Sequence, residues 1–223
     1  MKLETRAAID QSVDDWRKEY VRAMTVHVYY AHVAGDAEAY RAIQEPADWM
    51  VINSAAKEYS TWYGQTLEEE GGSYIKGQFI PWLDNLEADG RSEVARIIDE
   101  GLREGLPTGV RESGKGTYPK GSIAAQLQDY FDERKSHAAT VARTEIGRIQ
   151  NVSKLDRWDE RGWEVVQVQD GDGANPCEEC TAQNGEVWTL EYAQGNELEH
   201  PNCVRNFFPL RPGQYDPSEV VGF

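Results

Sequence analysis

Cys177-Glu-Glu-Cys180 and His200-Pro-Asn-Cys203 are two pairs of metal-affine side chains, each with two residues between its members and nineteen residues between the pairs. One tetrahedral ion needs four such ligands. A Cys-x₂-Cys turn lets two thiolates face the same point, and the fold has to bring a second pair to it. Pro176 and Pro201 stiffen the approaches to both pairs and so reduce the entropy lost in assembling the site. Zinc suits three thiolates and an imidazole, and iron can take the same set. The bland alternative is three reduced cysteines beside a surface histidine, but it leaves the matched His-x₂-Cys spacing unexplained. The cysteines are odd in number and confined to this stretch, which argues against a disulfide framework and for a reduced compartment.

The same residues speak against catalysis. A hydrolytic zinc keeps one position open for water, whereas here protein fills all four. Pro176-Cys-Glu-Glu-Cys180 matches half of the zinc deaminase pattern, but none of His27, His32, His137 or His200 is followed by x-Glu, so that chemistry lacks its general acid and base. A thiol nucleophile or a histidine-metal nuclease would need a further histidine near the pair, and His200 is the only one in the C-terminal part. The expectation is a structural metal and no enzyme.

The elements that position these ligands follow from periodicity. Val13, Trp16, Tyr20 and Met24 predict a helix from Glu4 to Ala34, stopped by Gly35-Asp36, with a second from Ala37 to Gln44 and a third from Pro46 to Tyr63. The apolar cluster from Tyr74 to Leu83 reads as irregular to helical. Ser92 is the expected N-cap of a helix ending at Gly105-Leu-Pro107, and 108–120 reads as a loop. Gly121-Ser122 opens another helix, Ser136 a further long one, and Arg161-Gly162 closes it. Beyond Gly162 the pattern changes to strands: Trp163 to Val168 alternates, Asn184-Gly185 signals a hairpin turn, and Asn206 to Leu210 reads as a closing edge strand. The predicted class is α+β, an extended helical N-terminal part followed by a small β-rich metal-knuckle module. A module this short and acidic has little core of its own, and structural zinc, worth on the order of 10 kcal/mol, would stand in for it.

Composition limits the partners. Acidic residues outnumber basic ones by 39 to 23, a net charge of −16. From Arg161 onward only Arg161, Arg205 and Arg211 oppose eleven acidic residues, so the electrostatic footprint of a nucleic-acid binder is missing. Strong acidity with scarce lysine also fits a halophilic host, whose salt screens the self-repulsion. No apolar run approaches the ~18 residues of a membrane span, and the N-terminus lacks the apolar core of a signal peptide, so a cytoplasmic protein without membrane contact is expected.

Taken together, Ala142-Arg-Thr-Glu145, Gly162-Trp163, Asp170, Cys177-x₂-Cys180, Asn184-Gly185 and His200-Pro-Asn-Cys203 resemble, in order and spacing, the C-terminal domain of the phage Mu F-like minor head proteins. The likeness spans about residues 119 to 210; the first hundred residues share only helical character. The family's common ending has a second cysteine where this chain continues Cys203-Val-Arg205-Asn206. The resemblance implies three regions: 1–118, a helical docking part; 119–162, helices carrying Arg143 and Glu145; and 163–223, the zinc knuckle. It implies a virion protein acting in head morphogenesis and in genome packaging or delivery. Several copies would bind the portal protein inside the capsid near the portal vertex, with major capsid or scaffolding proteins as further partners and only incidental contact with packaged DNA. The rival class is a metal-dependent nuclease or hydrolase. Arg143 and Glu145, two apart, cannot face each other, and each is expected to hydrogen-bond a loop that carries the knuckle. Trp163 and Trp188 are expected in the core of the small module, and Asp170 opens a Gly-rich turn that lacks the carboxylates of a calcium loop.

Overall fold

The computed structural model describes residues 3–75, 78–107, 120–170, 177–201 and 203–222. Four helices come first, α1 (Leu3–Ala42), α2 (Trp49–Glu70), α3 (Trp82–Arg103) and α4 (Ile123–Glu160), with a short hairpin of β1 (Ser73–Ile75) and β2 (Gln78–Ile80) before α3. A second unit of structure follows: β3 (Val165–Gln169), α5 (Glu178–Gln183), β4 (Val187–Thr189), α6 (Leu190–Gln194) and β5 (Asn206–Pro209). Its strands form one antiparallel sheet in the order β4-β3-β5. The α+β class is as expected from the sequence.

Two predicted breaks are absent. The helix of α1 runs through Gly35-Asp36 without interruption. Gly35 is required instead by packing: a Cβ there would lie 2.4 Å from the carbonyl oxygen of Gln150 and 3.0 Å from Cβ of Ser153, so only glycine lets α1 and α4 approach this closely. Asp36 is buried and accepts from Arg157 through both carboxylate oxygens, at 3.1 and 3.2 Å. The division at Ser136 is also absent, and α4 is one helix of 38 residues capped by Ser122, whose hydroxyl accepts from the backbone N–H of Ala125 at 3.1 Å.

Contacts between α1 and α4 climb both helices together, His32 with Ser153, Asp36 with Arg157 and Glu45 with Arg161, so the two run parallel. Helix α2 returns antiparallel along α1 and continues past the expected end at Tyr63, because Gly64 and Leu67 are still buried. Gly71 ends it with φ +70°, the left-handed conformation of a helix C-cap. Ser92 lies inside α3, which begins ten residues earlier: Leu83, Val94 and Ile97 share one buried face, and only Trp82 onward completes it. Ser73–Ile75 and Gln78–Ile80 form strands rather than the irregular or helical segment expected. The loop expected at 108–120 and Asp172 of the Gly-rich turn fall mostly outside the described residues.

The small sheet does not lack a core. Val166, Val168, Trp188, Leu190, Ala193 and Phe207 pack with Ala39 of α1, Ile43 just beyond it, and Leu155 and Trp158 of α4, and Trp163 leans on this cluster half-buried. The helix ends supply the apolar surface that the acidic segment could not supply alone, so a metal here does not replace the core. A second cluster centred on Val21, Met24, Val28, Tyr63, Leu67 and Ile149 holds the helices together. Among the described residues no helix is long and apolar enough to cross a membrane.

Two predictions test this packing. Gly35→Ala should destabilise the protein by about 1–3 kcal/mol through overpacking. Gly147→Ala, whose Cβ would meet nothing within 4 Å, should stabilise it by about 0.5–1 kcal/mol; urea unfolding monitored by helical circular dichroism reads both. Burial lowers the imidazole of His32 below its ordinary value, against the opposing pull of Asp36. The unfolded chain then takes up the proton first as pH falls. Stability should be full above about pH 6.5 and decline from there toward the lowered folded value, and His32→Gln should remove that part of the slope.

Candidate metal centre

The first ligand pair is built by a helix start. Cys177 is the N-cap of α5, and its Sγ accepts from the backbone N–H of Cys180 at 3.2 Å, which turns both sulfurs to one side. The second pair sits on a tight turn closed by Cys203 N–H donating to His200 O at 3.0 Å. His200 Nδ1 lies 2.7 Å from the carbonyl of Pro201. A carbonyl only accepts, so Nδ1 carries the proton and the lone pair of Nε2 points at the sulfurs.

The two turns meet. Nε2 of His200 is 3.1 Å from Cys177 Sγ and 3.3 Å from Cys180 Sγ, and Cys180 Sγ is 3.8 Å from Cys203 Sγ. Ligands around one tetrahedral zinc, at about 2.3 Å for sulfur and about 2.0 Å for nitrogen, stand about 3.5–3.8 Å apart. Cys177, Cys180 and His200 form one group whose ligand atoms could hold a metal ion, and Asp170, Cys180 and Cys203 form a second, with Cys180 shared between them; the donor chemistry suits zinc. Cys180 and Cys203 are buried beside Leu198, whereas Cys177 is half-buried. Burial pushes the Cys180 thiol well up, reinforced by its neighbours Cys177 and Cys203. A bound cation would offset that cost by holding the sulfurs as thiolates.

Asp170, placed at the end of β3, also belongs here. It is buried; its Oδ1 accepts from the Cys203 thiol at 3.7 Å and its Oδ2 from Arg205 Nε at 2.8 Å. Asn184 of the predicted turn fixes it by accepting from the Asp170 backbone N–H at 2.9 Å. That turn does not join a two-residue hairpin, since α5 intervenes between β3 and β4. It brings the chain back from α5, with Gly185 at φ +90° and its N–H on Val168 O at 2.8 Å.

Arg143 and Glu145 take other places than expected. Glu145 is buried against α2, where it accepts from Tyr63 Oη at 3.0 Å and from Arg148 at 3.1 Å. Arg143 is exposed and donates to Thr140 Oγ1 at 3.3 Å. The helix-to-knuckle link runs two turns further along α4. The side-chain amide of Asn151 donates to Glu197 O and to Arg205 O, both at 2.9 Å, and Lys154 reaches Asn206 and, at 3.3 Å, Glu38. Sequence reading missed Asn151, Lys154 and Arg205; their partners lie up to 116 residues away, with no local signature. Trp188 is in the core as expected, with the Arg205 guanidinium 4.9 Å from its ring centre, and Trp163 is stacked by Arg211 at 5.7 Å.

Ser153, His32 and Asp36 also meet, but not as a nucleophilic relay. Ser153 Oγ and Asp36 Oδ2 both face Nδ1 of His32, at 3.3 and 3.5 Å, whereas a relay needs one partner on each ring nitrogen.

Metal analysis after gel filtration should find one ion per chain, with Cys180→Ser and Cys203→Ser close to none. Asn151→Ala should cost about 1–3 kcal/mol by taking the donor from the buried carbonyl of Arg205 and the half-buried one of Glu197, read by thermal unfolding of the metal-loaded protein. Comparison with known protein families, with curated proteins and with solved structures yields no match for this chain.

Proposed function

We propose that the chain is a minor head protein of a tailed virus, a non-enzymatic part that docks at the portal vertex through its helices and carries a zinc-stapled knuckle. The observation that carries this reading is the meeting of two turns at Cys180, which Cys177 and His200 join in one ligand group and Cys203 approaches at 3.8 Å, in a chain whose motif order resembles the Mu F-like proteins. Four protein ligands fill a tetrahedron and leave zinc a structural role, that of joining the α5 turn to the His200 turn. Zinc is the favoured ion because three thiolates and an imidazole suit its size and softness. The acidic balance of the whole chain, −16, suits a protein that lies near packaged DNA without adhering to it. Recognition then falls to protein partners, portal first, with the long helices as the docking part.

The test combines three measurements on one preparation. Protein made in host cells should carry zinc, bind the purified portal of the same virus, and leave DNA and RNA intact. Turnover of nucleic acid that disappears in His200→Ala, with helical circular dichroism unchanged, would replace this reading by a metal-dependent hydrolase. Density for this chain in the tail or on the outer shell of an assembled particle would remove the portal-vertex assignment.

A further inference from the structure

Arg205 is not a ligand, yet its guanidinium touches every segment that carries one. Its side chain has 0% exposure. Nε donates to Asp170 Oδ2 at 2.8 Å, and that carboxylate's other oxygen accepts from the Cys203 thiol. Nη1 donates to Asn196 O at 2.9 Å and Nη2 to Glu199 Oε2 at 3.2 Å, both on the stretch leading into His200. Nη2 also donates to Gln183 Oε1, on the last residue of α5, whose first turn presents Cys177 and Cys180. The ring of Trp188 covers one face of the group, and Asn151 of α4 holds the residue's own carbonyl.

We propose that Arg205 is the positioning residue of the metal centre: one planar cation gathers the α5 turn, the His200 turn and the Cys203 loop before the ion arrives, and so sets affinity and thiolate count. The inference rests on the metal reading of the four ligands. Two physical features support it. A guanidinium presents five donors in a fixed plane, enough for four acceptors on three segments, while an ammonium on a flexible stem cannot span them. A divalent ion with three thiolates and a neutral imidazole also leaves a net negative charge, beside Asp170 and Glu199, and Arg205 is a cation in contact with both carboxylates.

The test uses the full-length chain, stripped of metal and titrated with Co²⁺, whose thiolate-to-cobalt absorption counts bound sulfurs. Affinity comes from competition with a chelator. Wild type should bind one Co²⁺ with a tetrahedral spectrum. Arg205→Lys should keep helical circular dichroism, lose roughly 10–100-fold in affinity, and lose charge-transfer intensity equivalent to one thiolate as Cys203 drifts out. A purely structural role for Arg205 would lower thermal stability but leave the intensity per bound ion unchanged; that result, or an unchanged affinity, overturns the proposal. Should Arg205→Lys fail to fold, Gln183→Ala and Glu199→Ala each remove one tether with Arg205 in place. Each should weaken binding several-fold, and wild-type affinity in both also overturns it. A wild-type chain that binds no Co²⁺ sinks the metal reading instead, a distinguishable failure.

Discussion

The close parallel crossing of α1 and α4 at Gly35 is the constraint on which the other parts depend. With only a hydrogen where other residues carry a Cβ, the backbones approach until Gln150 O and Ser153 line the gap. At that spacing Asp36 and Arg157 meet through two hydrogen bonds inside the contact, Trp158 Nε1 reaches Ala39 O at 3.2 Å, and Arg157 stacks 5.5 Å from the Tyr40 ring centre. A buried ion pair contributes little net stability, but breaking it strands a charge and costs several kcal/mol. It therefore fixes the register of two long helices more than it strengthens them.

Because the helices run parallel, their C-terminal ends finish side by side, and the sheet rests on the apolar patch made by Ala39, Ile43, Leu155 and Trp158. The knuckle is then wired to α4 through polar contacts rather than packed on it: Asn151 holds two backbone carbonyls and Lys154 spans to Asn206. Burial pulls the Lys154 ammonium down, with Glu38 opposing, so this link mixes charge and neutral hydrogen bonding across α1, α4 and β5. A shared apolar floor sets where the sheet lies, and a few directional bonds set how the ligand turns are aimed.

That Cys177, Cys180, His200 and Cys203 cluster was legible because the information is local: matched spacings, prolines beside each pair and an Asn-Gly turn. The strands β3 and β5 were legible for the same reason. Gly35-Asp36 misled because a glycine that admits a neighbouring helix and a glycine that ends its own helix look alike in one dimension, and Asp36 reads as polar surface until Arg157, 121 residues away, is placed beside it. Ser92 misled because a good capping residue also sits without difficulty on the exposed side of a helix. Arg205 was counted as one of three positive charges in an acidic stretch. Only the fold shows that none of its side chain meets water.

The outer strand β5 closes the sheet in a further sense. Leu210 N–H donates inward to Val165 O at 3.0 Å, so by strand alternation the backbone groups of Phe207 and Pro209 point away from β3. The N–H of Phe207 is taken by the side chain of Asn206 at 2.9 Å, and Pro209 has none to offer. The outward face of the strand thereby offers no N–H to a neighbouring molecule at these two positions. A strand of a second copy arriving at this edge would find carbonyls to donate to but no free N–H to accept from, which halves the ladder it could build and disfavours a continuous ribbon from chain to chain.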